Sequence, residues 1–469
     1  MADKKTNLQT LKGFRDFLPE EKRKRDFVMQ KIKQTFELFG FEPLETPALE
    51  YASLLLGKYG EEADKMVYTF KDRGGRKVAL RYDQTVPTAR VLLQNNNPET
   101  LPKILRRYQI QNVFRADKPQ KGRYREFTQC DVDIFGPKNT ISDAEIITCA
   151  TKCLEKIGIK DYQVLINDRM SFEDLLTNIQ ENLEFKDILV KILAQSVDKL
   201  EKTGKEKVIR EILTNPDFQK KLIINEGGIQ QLRKFLSLKP VTLSNTKTIK
   251  KYFGYPPSWL ERIEEIIKKA ILLGAPENNL LISPTLARGL DYYTSTVFEI
   301  IIPNKNIGSV GGGGRYDELI YQLSNFSIGA VGFSFGLDRL VEIVNELKLF
   351  PKNISSPTAK ILVTIFKETL NKSLKTTQKL RKNNIKTEIF PDLQTPTINE
   401  AIISEIETGK KKSFQKKLQQ QLKYASKKAI PFVLIIGPDE AKANQVTLKD
   451  MTTGKQQTLP LDQVINKLK

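Results

Sequence analysis

Arginines dominate the residues of this chain that could carry chemistry, and they cluster in one short segment. The segment FRADKPQKGRYREFTQCDVDIFG, residues 114–136, holds Arg115, Arg123 and Arg125 around a loop with proline and glycine. Guanidinium groups on adjacent strands of a rigid sheet clamp phosphate oxygens through paired hydrogen bonds. Phe127 alternates with Arg125 and presents a stacking ring beside the clamp. The pattern predicts a phosphate site; the alternative is a basic hairpin with cross-strand ion pairs.

The chain contains no histidine and three cysteines. Without imidazole it cannot hold a Ser-His-Asp or Cys-His nucleophile, or a metal site that uses histidine. Three cysteines cannot build a disulfide framework. Cys149 and Cys153 stand four residues apart and are predicted to be buried thiols. Catalysis must therefore use arginine, lysine, carboxylates, hydroxyls, backbone or bound ions, and no resident metal site is expected.

The charge of the chain is strongly positive. Lysine and arginine number 76 against 56 acidic residues, a net charge of +20. Such an excess attracts polyanions and favours a nucleic-acid partner; a solvated surface alone is the alternative. Neither the N-terminus MADKKTNLQT nor any later stretch has the apolar run of a signal peptide or membrane span. We therefore expect a cytoplasmic protein with no membrane contact.

The length of 469 residues suggests roughly two to four folded units. Apolar spacing predicts a helix over 22–39, closed by Gly40. Between 66 and 136, short apolar runs separated by turns predict an antiparallel sheet crossed by a helix at about 84–95. Helical spacing with many lysines over 171–275 predicts a helical module inserted into the first domain.

Strand patterns return after the insertion. TVFEIII is a predicted strand, GGGG a glycine-rich turn, and the apolar run 328–335 leads into a helix from about 336. The linker PKNISSP at 351–357 marks a boundary. Beyond it, alternating patterns predict a β-α-β-α-β domain with a mostly parallel sheet. Its lysine-rich helix at 414–428 is either a solvated face or a polyanion contact.

Several segments resemble one enzyme family. The arginine, loop and GRYREF pattern of 114–136 resembles motif 2 of class II aminoacyl-tRNA synthetases. ARGLDYYTSTVFE at 287–299 and GGGGRYDELI at 311–320 resemble the two histidine-specific motifs of histidyl-tRNA synthetases. FGFEPLETPALE resembles motif 1, GAVGFSFGLDRL at 329–340 resembles motif 3, and LRYDQTVPTAR at 80–90 resembles the amino-group site. The segments follow the family's order over nearly the whole chain.

The resemblance implies an α+β fold. It comprises a class II synthetase antiparallel sheet with helices, a helical insertion and a C-terminal α/β anticodon-binding domain. The implied divisions are a first catalytic part at 1–170, the insertion at 171–275, a second catalytic part at 276–350 and the anticodon-binding domain at 358–469.

The implied activity is ATP-dependent ligation of L-histidine to its cognate tRNA through histidyl-adenylate. ATP is a substrate, with Mg²⁺ bound to it. The C-terminal domain would bind the anticodon, and the insertion the acceptor arm. Motif 1, with Pro47, implies a homodimer interface.

The resemblance also implies a role for individual residues. Arg115 and Arg288 would be catalytic, at the α-phosphate and the amino-acid carboxylate. The ammonium would lie on Asp83 and Thr85, the imidazole on Asp133. The implied histidine-binding set is Asp83, Gln84, Thr85, Arg115, Gln129, Asp133, Arg288, Tyr292, Tyr293 and Tyr316. The implied ATP-binding set is Arg115, Asp117, Arg123, Phe127, which would stack on adenine, and Arg339, which would hold the γ-phosphate.

Some positions depart from the family pattern. Ala116 and Thr128 stand where many relatives have histidine, and Asp117 where the class often has glutamate. The stretch 394–413 is longer than usual. Two rival interpretations are an inactive paralogue, similar to the regulatory subunit of a histidine-biosynthetic phosphoribosyltransferase, and a non-enzymatic RNA-binding module. The first would lack the anticodon-binding domain, and the second would not require three arginines in motif context.

The missing residue type is also the expected substrate. We hypothesise that histidine is excluded so that translation of this chain never requires its own product. In a reconstituted translation system without histidine or any histidyl-tRNA synthetase, full-length active enzyme should be made from its message. Failure to make it, in a system that makes other histidine-free proteins, would contradict the hypothesis.

Overall fold

The computed structural model describes residues 8–469 except 60, 96–102, 121, 181–183, 223, 289–291, 306, 325–326 and 393–409. The chain divides into two compact units, Met1–Phe350 and Pro351–Lys469. No described helix is both long enough and apolar enough to cross a membrane.

The first unit is built from helices and strands in alternation. Its described strands are β1 (Glu42–Pro43), β2 (Leu49–Tyr51), β3 (Thr69–Lys71), β4 (Lys77–Leu80), β5 (Leu105–Phe114), β6 (Glu126–Gly136), β7 (Gln163–Asp168), β8 (Leu280–Ile282), β9 (Thr296–Ile301), β10 (Gly311–Arg315) and β11 (Gly329–Gly336). Its described α-helices are α1 (Pro19–Leu38), α2 (Ala52–Leu55), α3 (Glu61–Asp64), α4 (Thr85–Gln94), α5 (Thr140–Ile157), α6 (Met170–Ile179), α7 (Lys186–Val197), α8 (Leu200–Thr203), α9 (Lys205–Thr214), α10 (Pro216–Lys221), α11 (Glu226–Phe235), α12 (Lys247–Phe253), α13 (Ser258–Leu272), α14 (Glu318–Ser324) and α15 (Leu337–Glu346).

The main sheet has the strand order β1-β5-β6-β11-β10-β9-β7-β8. Neighbours from β5 to β7 run antiparallel, and the two outermost pairs, β1 with β5 and β7 with β8, run parallel. A smaller antiparallel sheet has the order β2-β4-β3. The predicted α+β fold with an antiparallel sheet is confirmed.

The two faces of the main sheet differ in chemistry because side chains alternate along each strand. On β6, Cys130, Val132 and Ile134 enter the hydrophobic core. Helices α1, α5 and α15 cover that face. The intervening residues of β6 point to the opposite face, where a second apolar cluster includes Tyr292 and Tyr316. The sheet therefore separates a helix-covered core from a face available for a site.

The helical segment from α6 to α13 shares the core of the sheet. Phe172, Leu189 and Trp259 belong to the same buried cluster as the apolar side chains of β6. Helix α13 packs on α5 and β7. Helix α13 therefore joins this segment to the sheet, and α6 packs on α7, α11 and α12.

Predicted helices in the first unit are found close to their expected bounds. The helix expected at 22–39 spans Pro19–Leu38, and Gly40 follows it with φ +72°, as a C-terminal glycine does. The helix expected at 84–95 spans Thr85–Gln94. The cysteines predicted to be buried thiols, Cys149 and Cys153, are both buried and free.

The prediction of a turn at GGGG is wrong, because Gly311–Arg315 is the buried strand β10 in the middle of the sheet. Glycine normally weakens a strand, but here neighbouring groups occupy the space of its side chain. A Cβ on Gly311 would lie 2.8 Å from the Ser334 backbone oxygen, and one on Gly314 would lie 2.5 Å from the Thr296 oxygen. Packing, rather than local preference, makes this segment a strand.

The second unit is a five-stranded sheet with helices. Its described elements are β12 (Ile361–Val363), α16 (Leu370–Lys382), β13 (Thr387–Ile389), α17 (Lys410–Lys427), β14 (Phe432–Ile435), α18 (Pro438–Lys442), β15 (Val446–Asp450), β16 (Gln456–Leu459) and α19 (Leu461–Leu468). The strand order is β13-β12-β14-β15-β16. The lysine-rich helix begins at Lys410, before the expected 414. Most of the stretch 394–413, predicted to be unusual, lies outside the described residues.

The three strands predicted by the β-α-β-α-β pattern are parallel, as expected, but two further strands that the sequence did not predict make the sheet mixed. Strands β13, β12 and β14 are parallel, but β15 pairs antiparallel with both β14 and β16. A tight turn joins β15 to β16, with Gly454 at φ +74° donating its N–H to the Asp450 oxygen. The segment KDMTTGKQ carries that turn in its sequence, since glycine adopts positive φ without strain.

A buried ion pair ties β10 to α5. Arg315 and Asp143 are almost fully buried, and Arg315 Nε donates to Asp143 Oδ1 at 3.2 Å. The other guanidinium nitrogens donate to the backbone oxygens of Pro137 and Asn139, each at 3.1 Å. The charge is thus fully hydrogen-bonded, as a buried cation requires.

Removing the Asp143 carboxylate would take away the buried partner of Arg315 and two of its hydrogen bonds, and would leave the partly exposed Asp317, 3.1 Å from Arg315 Nη1, as its remaining counter-charge. Asp143→Ala should therefore destabilise the first unit by roughly 3 kcal/mol or more. Trp259, the chain's single tryptophan, is buried in this unit, so its fluorescence in urea reports the transition. The matched control is Glu155→Gln on the same helix, which breaks an exposed pair with Lys152 and should cost less than about 1 kcal/mol. Equal losses for both variants would contradict this account.

Candidate active site

Polar side chains form the floor of the candidate site, on the sheet face away from the helices. The register of β5 and β6 places Arg107 opposite Asp133, Gln109 opposite Asp131 and Gln111 opposite Gln129. We call these six residues the polar floor. Arg107, Gln109, Asp131 and Asp133 are at most 3% exposed. Buried charges persist only with partners, so the floor must be electrostatically organised.

Glycines of β10 and β11 provide the space above the floor. In the register, Gly332 lies beside Asp133 and Gly314 beside Gly332. A Cβ on Gly332 would overlap the Asp133 carboxylate, and a Cβ on Gly312 would overlap the Arg288 guanidinium. A Cβ on Gly314 would lie 2.7 Å from the Tyr293 ring. The missing side chains allow site residues to lie directly on backbone.

Asp133 is held by two partners. Arg107 Nη2 lies 2.7 Å from Asp133 Oδ2, and the Tyr316 hydroxyl donates to Asp133 Oδ1. Burial raises the pKa of Asp133, and the Arg107 guanidinium and the Tyr316 hydroxyl oppose that rise. Protonating Asp133 would leave the permanently charged Arg107 buried without a counter-charge. The ion pair is therefore the favourable form.

Asp83 forms a second acidic position, at the start of α4. Its Oδ1 accepts hydrogen bonds from Tyr59 Oη at 3.0 Å and the Val86 backbone N–H at 3.2 Å, and its Oδ2 accepts from Tyr292 Oη at 3.5 Å. Burial raises its pKa, while the Val86 N–H and the nearby Arg115 guanidinium lower it. The carboxylate is suited to a cation that enters the site.

Three tyrosines form an aromatic wall between the two carboxylates. The Tyr292 ring centre lies 4.9 Å from that of Tyr293 and 5.7 Å from that of Tyr316. All three are at most 7% exposed. Thr85 donates a hydrogen bond to Tyr292, and burial raises the pKa of Tyr292 above its usual range. The hydroxyls therefore stay protonated and can serve as hydrogen-bond donors.

Two glutamines span the site, with their amide groups used differently. Gln84 Nε2 donates to the backbone oxygens of Gln111 at 3.2 Å and Gln129 at 3.0 Å. Gln129 Nε2 donates to Ser334 Oγ at 2.9 Å. Three buried acceptors here, Gln84 Oε1, Gln129 Oε1 and Asp131 Oδ1, have no hydrogen-bond partner among the described residues. Buried acceptors require donors, so the site fits a ligand rich in N–H groups.

Arginines collect at the other end of the site. Arg115 lies between two rings, 4.3 Å from the centre of Tyr82 and 5.2 Å from that of Phe127. Arg288 Nη1 lies 3.6 Å from Glu299 Oε1. These contacts constrain the orientation of each guanidinium group.

Arg339 shows that these positive charges converge. Burial lowers its pKa, as do Arg123, Arg115 and Arg288, with Glu299 opposing them. Its Nη1 donates to the Ser309 backbone oxygen at 2.5 Å and its Nε to the Gly122 oxygen at 3.3 Å. Like charges destabilise one another, and a bound polyanion would relieve the repulsion. We call Arg115, Arg123, Arg288 and Arg339 the arginine cluster.

Carboxylates near the arginine cluster are few. Asp117 Oδ1 lies 3.8 Å from Arg123 Nη1, Glu299 is beside Arg288, and Asp198 interacts electrostatically with Arg288 and Arg123. Within the described part of the chain, no group of three histidine, cysteine, aspartate or glutamate residues is placed to hold a metal ion. A divalent cation would need ligand oxygens from a bound phosphate as well.

The predicted site residues fall into two groups on one face of the sheet. Around the polar floor and the aromatic wall lie Asp83, Gln84, Thr85, Gln129, Asp133, Tyr292, Tyr293 and Tyr316. Around the arginine cluster lie Arg115, Asp117, Arg123, Phe127, Arg288 and Arg339. The groups adjoin, because Arg115 influences Asp83 and Arg288 influences Tyr293.

Sequence reasoning missed two residues of the site, Arg107 and Tyr59. In β5 the alternate residues Arg107, Gln109 and Gln111 are polar, and alternate residues of a strand point to the same face. Such a polar face indicates a functional or hydrogen-bonded surface. Tyr59 donates to Asp83, and only the tertiary structure brings them together.

Known proteins match this chain over nearly its whole length. The model of the histidyl-tRNA synthetase family matches residues 13–340, and that of an anticodon binding domain matches 360–469. A Cytophaga hutchinsonii protein named histidine–tRNA ligase is 35% identical over 481 residues, covering 97% of this chain and 98% of the relative. An Azobacteroides pseudotrichonymphae protein of the same name is 37% identical over 482 residues, covering 97% and 96%.

A solved structure is similar along its full length. The crystal structure of histidyl-tRNA synthetase from Nostoc sp. PCC 7120 is 28% identical, with a TM-score of 0.74 over 99% of each chain.

The close contact between Gly332 of β11 and Asp133 can be tested by adding a methyl group at Gly332. Gly332→Ala should destabilise the first unit by about 1–3 kcal/mol, because the new methyl group meets a carboxylate fixed by two partners. Gly336→Ala on the same strand is the matched control, since its Cβ would have no atom nearer than the Val310 oxygen at 3.9 Å. It should change stability by less than about 0.5 kcal/mol in urea unfolding. If Gly332→Ala is equally harmless, the floor is looser than described.

Proposed function

The chain belongs to the histidyl-tRNA synthetase family and attaches histidine to tRNA; from that premise we propose which residues activate the amino acid. One observation carries the assignment: an acidic, aromatic pocket adjoins a cluster of arginines on a single sheet face. A histidine zwitterion and ATP are complementary to these two halves. The reacting carboxylate and α-phosphate would meet where the halves adjoin.

The histidine ammonium binds at Asp83. That carboxylate lies between Tyr59 and Tyr292, and its buried position strengthens attraction for a cation. Thr85 adjoins it, and Gln129 Oε1 is an acceptor without a partner among the described residues. Gln84 positions Gln129 by bonding its backbone oxygen. These groups together match three N–H donors of an ammonium.

The imidazole ring binds between Asp133 and the aromatic wall. Asp133 accepts from a ring N–H, while Tyr292, Tyr293 and Tyr316 enclose the ring faces and edges. Because the wall is buried, a side chain that cannot donate to Asp133 would leave the carboxylate with an unmet acceptor. Such unmet polar groups are the strongest means of rejecting a wrong substrate.

Adenylate formation occurs between Arg115 and Arg288. The histidine carboxylate attacks the ATP α-phosphorus, a P–O bond forms, and the bond to pyrophosphate breaks. Both guanidiniums stabilise the negative charge that grows on the α-phosphate oxygens. Tyr82 and Glu299 fix their orientation beforehand, which reduces the cost of reorganisation.

The remaining ATP groups bind along the arginine cluster. Phe127 stacks on the adenine ring, and Arg339 and Arg123 bind the terminal phosphates. Asp117 contacts Arg123 and sets its direction. Mg²⁺, bound with ATP, would neutralise phosphate charge. Glu299, which lies beside Arg288, is a carboxylate of the site that would contribute an oxygen to it.

Transfer to tRNA follows in the same site. The terminal ribose hydroxyl attacks the adenylate carbonyl, an ester bond forms, and AMP leaves. The segment 171–275 binds the acceptor arm: Asp198, which caps α7, interacts electrostatically with Arg288 and Arg123, so the segment borders the arginine cluster. The unit that matches the anticodon-binding model, 360–469, binds the anticodon.

A homodimer is proposed through the small sheet. Leu49, Tyr51 and Phe70 on β2 and β3 are 44%, 58% and 46% exposed. The register places Tyr51 and Phe70 on either side of Val78, so they form one apolar patch. Exposed apolar patches of this kind mark interfaces. Pro47 of motif 1 immediately precedes this sheet.

ATP–pyrophosphate exchange tests the proposed function directly. Histidine should stimulate exchange, whereas threonine, proline and glycine should be poorer by a factor of about 10⁴ or more, because none of their side chains carries an imidazole N–H to donate to Asp133. The assay also separates the inactive paralogue and the RNA-binding module, neither of which would catalyse exchange. Comparable rates with threonine would contradict the assignment.

Arg288→Ala tests the placement of the chemistry. We expect adenylate formation to fall by at least roughly 10²-fold, as for a lost oxyanion donor, while tRNA binding changes little. Lys22→Ala is the control, because it removes a positive charge from an exposed pair with Asp26 on α1. Near-normal exchange by Arg288→Ala would move the reacting centre elsewhere.

A further inference from the structure

Arg107 is a buried cation that the mechanism above does not use. Its side chain is 1% exposed, its Nη2 lies 2.7 Å from Asp133 Oδ2, and its Nη1 donates to Gln109 Oε1 at 3.4 Å. It lies on the side of Asp133 away from Tyr316, which bonds the other carboxylate oxygen. A guanidinium stays charged at any physiological pH. Arg107 therefore supplies a permanent positive charge behind the ring-binding carboxylate.

The charges facing Asp133 can be named from each neighbouring element. They are Arg107 on β5, Asp131 on its own strand, Tyr316 after β10, Tyr292 and Tyr293 before β9, and Asp83 before α4. Burial keeps the tyrosines neutral, and Asp83 is assigned to the substrate ammonium. Burial raises the pKa of Asp131 to about 7, with Arg107 opposing the rise. Around the ring, the dominant charges are thus Asp133 and Arg107, which cancel.

We propose that Arg107 is a positioning residue that keeps Asp133 ionised and charge-compensated, so that the site selects the uncharged ring of histidine. The inference rests on the proposed placement of the ring on Asp133. A neutral ring donates one N–H to the carboxylate without adding net charge to a buried site. An imidazolium would bring an uncompensated positive charge next to Arg107, which burial makes unfavourable.

The proton count gives the pH dependence. With Arg107 present, the bound ring is neutral and Asp133 is ionised, so binding takes up no proton from solution. The affinity for histidine is then constant at pH values above the ring's ordinary pKa of about 6.5. It decreases at lower pH, where the free ring must lose a proton before it binds. Without Arg107, Asp133 is buried alone and takes up a proton. The complex then holds one proton, shared by ring and carboxylate. Affinity must fall as pH rises above the raised pKa of Asp133, because that proton has to be bound from solution.

Arg107→Met tests the proposal through the pH profile of histidine activation. Relative to wild type, kcat/KM for histidine should decline at alkaline pH, approaching about tenfold for each pH unit above the raised Asp133 pKa, as expected for one proton. Taking the ratio cancels the titration of the substrate ammonium. The KM for ATP should not change. Arg107→Lys should restore a flat alkaline profile because it restores the charge.

Arg106→Met is the matched control. Arg106 is the neighbouring residue on the opposite face of β5, where it pairs with Glu145 and donates to the Phe39 backbone oxygen at 2.9 Å. Its loss should lower stability without an alkaline limb. Asp131→Asn is introduced into both the wild type and Arg107→Met, and it removes the titration of the Asp131 carboxyl near neutral pH. The alkaline limb of Arg107→Met should persist in that background.

A second measurement uses no variant at Arg107. Calorimetry of histidine binding in buffers of different ionisation enthalpy counts the protons released. At about pH 6, where most of the free ring is protonated, the Asp131→Asn enzyme should release most of one proton per histidine bound. Binding without proton release, or an Arg107→Met profile parallel to wild type, would overturn the proposal. If wild type did not activate histidine at all, the proposed function itself would fail.

Discussion

The absence of side-chain carbon at the middle of the main sheet is the constraint on which the site depends. Strand β10 contributes four consecutive glycines, and Gly332 of β11 lies beside them. Because no Cβ occupies this surface, Arg288, Tyr293 and Asp133 lie directly on backbone. On the opposite face of the sheet, the Phe333 ring packs against these glycines, and a Cβ on Gly311 would overlap it. The floor of the site is therefore formed by sheet backbone at this point.

Electrostatic balance explains how so many charges can share this space. The acidic half is compensated in part by Arg107. Among the described residues, the four arginines of the arginine cluster have three carboxylates nearby, those of Glu299, Asp117 and Asp198. The free protein therefore has an excess of positive charge at the arginine cluster and hydrogen-bond acceptors without donors in the acidic half. Both features are energetically costly in a buried site. A zwitterionic amino acid supplies N–H donors to the acidic half, and a nucleoside triphosphate supplies negative charge to the arginine cluster. The same preorganised charges therefore bind the substrates and stabilise the transition state.

Sequence reasoning identified the elements and most of the site, but not the contacts that depend on tertiary packing. Helix α1 and the strand holding Asp133 followed from periodicity, because local spacing directly reflects which face is buried. The GGGG strand was missed because glycine has no strand preference of its own; its neighbours β9 and β11 place it. Arg107 was missed because its partner lies 26 positions away, and only the register of β5 and β6 makes them neighbours. The roles given to individual site residues remain predictions.

The central claim is that ring, ammonium and carboxylate of histidine bind at three fixed places on one sheet face. A crystal structure with histidine and a non-reactive ATP analogue tests it most directly. The account predicts a ring nitrogen within hydrogen-bonding distance of Asp133, the ammonium on Asp83, and the carboxylate and α-phosphate between Arg115 and Arg288. A ring that binds away from Asp133, or an α-phosphate that contacts neither arginine, would contradict it.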